Sequence, residues 1–311
     1  MSKAIVLLNM CGVNSLDEVK LFLRNMFSDK YILQTNPIIR KIVGSIIVKK
    51  RLNEAIENYK ILGGKSPLLD ITKSLCKKVE EITSTPTYPT MRYTPPFAKE
   101  ILQELKSKGV DEIIAFSMYP HFSTTTTKSS IEDLKDNLKE LNYNPKLKII
   151  DRYYNNQEYI NIQTNLIKDA LNGNNPSDIT LLVSAHGLPI SIIKKGDPYQ
   201  KEIETNFKLL TKNLQKVGIN FKNVKLCYQS RVGSGAWLEP NLVDILRNPD
   251  NLNVLIFPIS FTIDNSETIF ELKIEHKEIA DKIGYSYYEV TKCPNDSDEF
   301  AKFIARMVDE E

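Results

Sequence analysis

Two of the three histidines lie where predicted β-strands end. His186 follows the apolar run Ile179–Val183 and precedes Gly187, and His121 follows the run that ends at Met118. In open α/β sheets, ligands bind beyond the carboxyl ends of the strands. A neutral imidazole accepts a proton or binds a borderline divalent metal near neutral pH. We therefore predict that His186 is a proton acceptor or a metal ligand, with a structural hydrogen bond as the alternative.

Three glutamates in the C-terminal part of the chain are spaced four residues apart. Glu267, Glu271 and Glu275 would form a row along one face of a helix, and a helix loosened toward π geometry would align them better still. A row of carboxylates can relay protons or deliver a cation. The alternative is a solvated acidic face, because Lys273 and Lys277 lie beside the row.

Several large side chains could form the walls of a site for a flat macrocycle, which needs planar, polarizable surfaces. They lie at predicted strand ends or beside Gly and Pro turns: Met10, Tyr59, Tyr93, Tyr119, Phe122 and Trp237. Arg92 and Arg231 could pair with ligand carboxylates, because a guanidinium binds them bidentately. Core packing and surface ion pairs are the alternatives.

The composition excludes some classes of function. The 311 residues carry 41 basic and 39 acidic side chains, so the formal net charge is only +2. We expect no nucleic-acid partner, because such a chain has no overall field to hold one. The four cysteines form no CxxC pair, and no signal-like segment or apolar run of about 18 residues is present. These features predict a reduced, cytoplasmic protein.

Short apolar runs alternate with longer amphipathic stretches. The apolar runs predict strands buried on both faces of a parallel sheet, at 3–10, 110–118, 146–151, 178–185, 223–229 and 252–260. The amphipathic stretches predict helices near 15–27, 37–60, 67–83, 96–108, 124–141, 156–172, 198–217, 265–283 and 296–309. The alternation predicts an α/β fold of two similar Rossmann-like halves, each a mainly parallel sheet flanked by helices. The halves cover about 1–150 and 174–291, before a C-terminal helix at about 296–309.

Seven motifs, in order along the chain, resemble those of the ferrochelatases, which insert ferrous iron into a porphyrin in haem synthesis. They lie at Leu8–Gly12, Tyr59–Leu68, Met91–Tyr93, Tyr119–Ser123, Ser184–Pro189, Gln229–Pro240 and Phe257–Glu271. One motif alone would be weak evidence, whereas seven in the same order are strong. The resemblance implies a single chelatase-like unit over residues 1–311, acting as a lyase.

The resemblance also implies roles for individual residues. His186 would accept a pyrrole proton or ligate iron, and Glu267 would face it across the pocket as the second metal contact. Asp264, Glu271 and Glu275 would form the path of protons or iron. The porphyrin would be bound by residues of several motifs, namely Met10, Tyr59, Ser66, Arg92, Tyr93, Tyr119, His121, Ser123 and Trp237.

Ferrous iron and a porphyrin are the implied substrates, with protoporphyrin IX expected ahead of coproporphyrin, and no prosthetic group is implied. The chain departs from the family pattern at Cys11 and Val13, where glycine and proline are usual, and at Asn265, where histidine is usual. These departures motivate one alternative, a porphyrin- or haem-binding protein with impaired catalysis. A cobalt chelatase of the same fold is the other alternative.

An apolar stripe lies beside a basic cluster in residues 38–51. The apolar residues are Ile38, Ile39, Ile42, Val43, Ile46 and Ile47, and the basic ones are Arg40, Lys41, Lys49, Lys50 and Arg51. We expect this helix to form a lip over the pocket. Peripheral contact with an anionic membrane is the further possibility.

Overall fold

Each of the two β/α series of the chain folds around its own parallel sheet. The computed structural model describes residues 2–10, 12–232 and 235–311, so Cys11 and the motif residue Gly233 lie outside the described residues. The chain divides into two units. The first contains the residues up to Tyr119, Ser123–Asp151 and Asp296–Glu311, and the second contains Pro120–Phe122 and Arg152–Asn295.

The sheet of the first unit has the strand order β2-β1-β3-β4, and all neighbours are parallel. Its strands are β1 Lys3–Asn9, β2 Thr87–Met91, β3 Glu112–Ser117 and β4 Lys146–Ile150. The inner strand β1 is buried from Ala4 to Leu8. Burial on both faces is what a continuous apolar run in a parallel sheet requires.

The sheet of the second unit repeats this order as β6-β5-β7-β8, again with parallel neighbours. Its strands are β5 Thr180–His186, β6 Asn223–Gln229, β7 Asn253–Pro258 and β8 Tyr287–Val290. The predicted fold class, two Rossmann-like halves with parallel sheets, is therefore confirmed.

Helices connect the strands at nearly the predicted positions. Those of the first β/α series are α1 Val19–Ser28, α2 Pro37–Ile61, α3 Leu68–Thr83, α4 Ala98–Ser107 and α5 Ser129–Glu140. Those that follow are α6 Gln157–Ala170, α7 Ile190–Lys194, α8 Tyr199–Lys216, α9 Leu242–Arg247, α10 His276–Ile283 and α11 Asp298–Asp309. Two π-helical segments, Thr124–Lys128 and Glu267–Glu275, lead into α5 and α10.

The C-terminal helix α11 belongs to the first unit, where it packs on α3. Lys78 of α3 donates to the carbonyl oxygen of Asp296 at 2.6 Å and pairs with Asp298 at 2.8 Å. Ser74 adds a hydrogen bond to the Asp296 carboxylate at 2.5 Å. These contacts fix the start of α11 to α3, and its apolar face is buried at Phe300 and Phe303.

Two edge strands, β2 and β8, are not marked by apolar runs in the sequence. β2 contains Pro89, two threonines and a tyrosine, and β8 is only four residues long. A proline fits an edge strand because no partner needs its missing N–H on that side. Edge strands carry less buried apolar surface, so they lack the continuous Ile, Val and Leu pattern of the inner strands.

The long helix α2 is buried on one side only. It approaches α1 at Gly44, where an added Cβ would lie 2.9 Å from the carbonyl oxygen of Phe27, and Val48 is buried beside it. On the other side, Ile38 is 72% and Ile42 57% exposed. Among the described residues, none of the helices has both the length and the apolar character needed to cross a membrane.

Candidate active site

His186 is the last residue of β5, and its backbone is held on both sides. Its N–H donates to Oγ of Ser260, which follows β7, at 3.0 Å. Its carbonyl oxygen accepts from the hydroxyl of Tyr199, at the start of α8, at 2.9 Å. The imidazole is 35% exposed, so it is accessible from solvent at a rigid strand end.

Gly187 is required by the close approach of the neighbouring strand. Its N–H donates to the carbonyl oxygen of Gln229 at 2.8 Å. A Cβ on this residue would lie 2.8 Å from the same oxygen and 3.4 Å from Cε3 of Trp237. No side chain fits there without displacing the end of β6, so the glycine keeps His186 close to the end of that strand.

The side chains of His186 and Glu267 are in direct contact, with Nδ1 and Oε2 2.7 Å apart. The expectation that they face each other across a pocket is therefore wrong. A separation of 2.7 Å is a hydrogen bond and leaves no room for a ligand between the two groups. Glu267 instead lies beside the imidazole, in the way that a carboxylate orients a histidine.

The charges of this pair favour one arrangement of protons. Burial raises the pKa of Glu267, but His186 and Ser230 outweigh burial and hold that pKa below its usual value. Burial lowers the pKa of His186, but the Glu267 carboxylate outweighs burial and raises it. With Glu267 ionised, Nδ1 of His186 carries the proton that the carboxylate accepts. The lone pair of the neutral imidazole is then on Nε2.

Glu271 is bound by two residues at the end of β6. The N–H of Ser230 donates to Oε1 of Glu271 at 2.7 Å, and the Ser230 hydroxyl lies 2.5 Å from Oε2. Nε2 of Gln229 donates to Oε2 at 3.3 Å. The same Ser230 hydroxyl lies 3.0 Å from Oε2 of Glu267, so one serine contacts both carboxylates.

Glu271 holds its proton more strongly than an ordinary glutamate. Burial and the negative charge of Glu267 raise its pKa to about 7. His276 lies nearby, with Nε2 3.9 Å from Oε1 of Glu271. Burial lowers the pKa of His276 to about 4, so this imidazole is neutral and adds no positive charge beside Glu271. Glu271 can therefore gain or lose a proton near neutral pH.

The start of the π-helix is fixed by Asp264 and Asn265. The Asp264 carboxylate accepts from Thr268 at 2.8 Å and from Asn295 at 2.7 Å. The Asn265 side chain accepts from the N–H of Glu267 at 2.8 Å and donates to the carbonyl oxygen of Ile263 at 3.0 Å. Asp264 and Asn265 are both buried. They anchor the segment that carries Glu267.

The predicted row of glutamates does lie on a π-helix, but its members differ in environment. The side chains of Glu267 and Glu271 are 35% and 15% exposed, and both contact Ser230. Glu275, at the last residue of the π-helix, is exposed. The structure thus brings His186, Glu267 and Glu271 together, with Glu275 at the solvent end.

Two candidates of the first unit, Arg92 and Tyr93, are bound to acidic residues of that unit. Tyr93 is fully buried, and its hydroxyl donates to Oδ2 of Asp29 at 2.8 Å. The Arg92 guanidinium pairs with Asp29 at 3.2 Å and Asp133 at 3.3 Å, and Nε donates to Ser129 at 3.0 Å. Arg92, Asp29 and Asp133 line a cavity of about 520 Å³ within this unit.

The remaining candidates of the first unit fall into two groups. Met10 and Tyr119 are half-buried at the ends of β1 and β3, and the Tyr119 hydroxyl donates to Asn9 at 3.1 Å. The others are buried, namely Tyr59, Ser66 and Ser123. Ser123 accepts from the N–H of Thr125 at 3.2 Å and so caps the first π-helical turn.

In the second unit, His121 and Trp237 differ in accessibility. His121 is buried, with Nε2 3.1 Å from Oδ1 of Asn206, and burial lowers its pKa to about 3. Trp237 is half-buried next to Gly187, and its segment pairs antiparallel with Pro189. Trp237 therefore lies beside the residue that follows His186 in the chain.

Four residues of the site were not assigned a role from the sequence: Ser184, Tyr199, Ser230 and Ser260. Ser230 and Ser260 follow strands β6 and β7, so their position was a usable signal. Tyr199 and Ser184 carry no such signal in the sequence, because a hydroxyl within a helix or a strand is common. In the described part of the chain, no group of three or more His, Cys, Asp or Glu side chains is placed so that it could hold a metal ion, and this includes the cluster of His186, Glu267 and Glu271.

Comparison with known sequences identifies the family that this chain resembles over its length. A family model described as Ferrochelatase matches residues 2–311. The Ferrochelatase of Wolinella succinogenes is 46% identical over 310 residues, which cover 99% of this chain and 98% of that protein. The Ferrochelatase of Helicobacter pylori (strain J99) is 44% identical over 309 residues, covering 98% and 92%.

Two solved structures are similar in fold at low sequence identity. SirB from Bacillus subtilis with Fe3+ has a TM-score of 0.60 at 10% identity and covers 100% of this chain and 95% of that one. CbiX, described as the terminal enzyme for biosynthesis of siroheme in denitrifying bacteria, has a TM-score of 0.54 at 12% identity and covers 100% and 99%. At these identities the likeness concerns the fold alone.

Proposed function

The chain belongs to the ferrochelatase family, and from this premise we propose how its residues insert ferrous iron into a porphyrin to make haem. The reaction is that of a lyase, and iron and the porphyrin are its substrates. The observation that carries the proposal is the 2.7 Å contact between Nδ1 of His186 and Oε2 of Glu267.

His186 is the base that removes a pyrrole proton. A free-base porphyrin must lose both of its pyrrole N–H protons before iron can bind the ring nitrogens. The Glu267 carboxylate accepts a hydrogen bond from the Nδ1–H of His186. The lone pair of the imidazole is therefore on Nε2, where it can take the pyrrole proton. The carboxylate also stabilises the imidazolium that forms, because the two groups are in contact.

His186 and Glu267 are also the metal contacts of the proposal. An imidazole nitrogen and a carboxylate oxygen are both suitable ligands for ferrous iron. Because Nδ1 of His186 is hydrogen-bonded to Oε2 of Glu267, the nitrogen that can contact iron is Nε2, which carries the lone pair of the neutral imidazole. We therefore assign iron contact to Nε2 of His186 and to the Glu267 carboxylate.

Glu271 is the next group on the proton path. Its pKa of about 7 allows it to accept a proton from the site and release it near neutral pH. Exposed Glu275 is the solvent end of this path. Asp264 contributes by anchoring the start of the π-helix through Thr268 and Asn295, which keeps Glu267 against His186.

Four of the predicted porphyrin-binding residues are suited to direct contact, because part of each remains accessible: Met10, Arg92, Tyr119 and Trp237. The other five are buried and are assigned to the support of these contacts: Tyr59, Ser66, Tyr93, His121 and Ser123. Protoporphyrin IX is the proposed substrate. We further propose that the enzyme needs no prosthetic group, binds no nucleic acid and works in the cytoplasm.

The apolar side of α2 is proposed as a peripheral contact with an anionic membrane. Ile38, Ile39 and Ile42 are more than half exposed, and Lys49 and Lys50 are exposed at the same helix. Apolar residues flanked by lysines suit the boundary of anionic lipids. Arg40 of the basic cluster is engaged within the protein, because its guanidinium donates hydrogen bonds to the carbonyl oxygens of Leu33 at 2.9 Å and Thr35 at 2.6 Å.

Flotation with phosphatidylglycerol vesicles tests the membrane contact. The wild type should float with these vesicles, and Ile42→Ser should float less. Ile283→Ser, at an exposed isoleucine of α10, is the matched control and should float like the wild type. A wild type that stays wholly in the soluble fraction would remove the membrane proposal.

An anaerobic insertion assay tests the function. Purified protein is mixed with ferrous iron and either protoporphyrin IX or coproporphyrin III, and the loss of porphyrin fluorescence is followed. We expect haem formation, with the higher kcat/KM for protoporphyrin IX. Porphyrin binding without insertion would instead support a binding protein, and a preference for coproporphyrin III would correct the substrate.

A further inference from the structure

The backbone of His186 extends past the point where a neighbouring strand ends. β5 pairs with β7 only as far as Ser184, which lies opposite Pro258. The carbonyl oxygen of Ser184 accepts from the N–H of Ile259 at 2.9 Å, so this residue faces β7. Alternate residues of a strand direct their N–H and C=O groups to the same side. The N–H and C=O of His186 therefore point to the side on which β7 has already ended.

Two side chains take the place of the missing strand. The N–H of His186 donates to Oγ of Ser260 at 3.0 Å, and its carbonyl oxygen accepts from the hydroxyl of Tyr199 at 2.9 Å. Peptide groups at a buried strand end need such partners, because each carries one strong donor and one strong acceptor. On this side, the position of His186 thus depends on these two hydroxyl groups.

The ring of Tyr199 is held firmly enough to fix its acceptor. Tyr199 is buried at the start of α8, and its N–H donates to Oδ1 of Asp197 at 3.0 Å. Its ring meets the ring of His121 edge to face, with 6.1 Å between the centroids. His121 is held in turn by Asn206, a later residue of the same helix, at 3.1 Å. Side chains locked by packing and hydrogen bonds can keep a neighbouring functional group in place.

We propose that Tyr199 is a positioning residue for iron insertion, whose hydroxyl holds the carbonyl group of His186 and so keeps the imidazole where Nε2 can meet the porphyrin. This inference rests on the proposed function of His186. Tyr199 touches none of the reacting atoms and transfers no proton. It acts by limiting the displacement of the strand end, and a displacement of about 1 Å can cost about 100-fold in rate.

Tyr199→Phe isolates the hydroxyl, because phenylalanine keeps the ring that packs against His121. We expect kcat for iron insertion to fall about 5-fold to 20-fold, less than for a full displacement of about 1 Å. KM for iron and for the porphyrin should stay within about twofold, because no substrate contact is removed.

Tyr285→Phe is the matched control. The hydroxyl of Tyr285 donates to a backbone carbonyl oxygen at the same distance, 2.9 Å, but that oxygen belongs to Leu246 at the end of α9. Both tyrosines are in the second unit. Tyr285→Phe therefore loses the same kind of hydrogen bond away from His186, and it should keep the wild-type kcat.

Carbonyl NMR tests the contact without any substrate. The pair His186–Gly187 is the only His–Gly pair in the sequence. A protein labelled with carbonyl-13C histidine and 15N glycine therefore gives one signal in an HNCO spectrum. This signal should move upfield in Tyr199→Phe, because the carbonyl group loses a hydrogen bond, and it should stay unchanged in Tyr285→Phe.

Ser260→Ala applies the same test to the other hydrogen bond of this residue, should Tyr199→Phe fail to fold. It should also lower kcat and leave both KM values near those of the wild type. A wild-type kcat in either variant, an equal loss in Tyr285→Phe, or an unmoved carbonyl signal in Tyr199→Phe would overturn the inference. Absence of insertion by the wild type would refute the proposed function instead, while the spectra would still report on the contact.

Discussion

In the second unit, Nδ1 of His186 and Oε2 of Glu267 are 2.7 Å apart, although 81 residues separate them in the chain. β5 ends at His186, and the π-helix after β7 begins at Glu267. Because β5 and β7 are parallel neighbours, residues that follow their carboxyl ends meet at one edge of the sheet. The sheet topology thus brings the two residues together. Asn265 then fixes the position of Glu267 by accepting a hydrogen bond from its N–H.

The pH dependence of Glu267→Gln should reveal this pair. Activity needs an unprotonated Nε2, so kcat/KM should rise with pH through the His186 pKa, which Glu267 raises above its usual value. Glutamine removes the charge and leaves burial, which lowers the His186 pKa. The acidic limb of the profile should therefore move to lower pH in Glu267→Gln, whatever the remaining rate. A limb that does not move would mean that the carboxylate has no effect on the base.

Gly187→Ala should disturb the end of β5. The new Cβ would lie 2.8 Å from a backbone oxygen of Gln229, so the strand ends must separate. We expect a loss of about 1–3 kcal/mol in unfolding free energy, as for overpacking, and a loss of about 100-fold in kcat from displacement of the base. Urea unfolding and the insertion assay measure these effects.

The control for this variant is Gly235→Ala, where an added Cβ would meet nothing closer than Nε1 of Trp237 at 3.8 Å. It should behave like the wild type in both measurements. Equal stability of the two alanine variants would contradict the close approach of β5 and β6 at Gly187.

Tyr93→Phe should lower stability with little effect on activity. The variant removes the hydroxyl that donates to buried Asp29 at 2.8 Å, and a hydrogen bond to a charged group is worth about 1.5–3 kcal/mol. Tyr88→Phe is the control, since the Tyr88 hydroxyl contacts exposed Lys108, and it should change stability by less than about 0.5 kcal/mol. A weaker porphyrin affinity in Tyr93→Phe at unchanged stability would mean that the hydroxyl binds the substrate directly.

Glu271→Gln should change how stability depends on pH. The pKa of Glu271 is about 7 in the folded protein, against an ordinary value of 4.5. Its contribution to stability is thus fully present below about pH 4.5 and is lost as pH rises through about 7. Relative to the wild type, Glu271→Gln should gain unfolding free energy between pH 5 and pH 7.5, measured by urea unfolding. Exposed Glu278→Gln should show no such gain, and a flat difference for both variants would contradict the raised pKa.

The order of strands and helices could be predicted because each has a strong local signal. Inner strands such as β1 are continuous apolar runs, and Gly284, with φ of 92°, marks the end of α10. The edge strand β8 could not be found in this way, because its burial is partial. Its identity as a strand depends on pairing with β7, which the sequence does not encode locally.

The members of the site could be predicted by type, but their contacts could not. The resemblance pointed to His186 and Glu267, whereas their hydrogen bond depends on the geometry of two strand ends and a π-helix. Tyr93 was expected at the porphyrin, yet its hydroxyl binds Asp29, 64 residues away in the chain. The position of Ser230 between two carboxylates depends on a left-handed backbone conformation, and a serine in the sequence does not indicate that conformation.

Iron insertion by His186→Ala, measured together with porphyrin binding by absorption spectroscopy, tests directly whether His186 is the base. If His186 is the base that Glu267 orients, this variant should bind the porphyrin with nearly the wild-type affinity and form no measurable haem. Haem formation by His186→Ala at the wild-type rate would mean that another group removes the pyrrole protons.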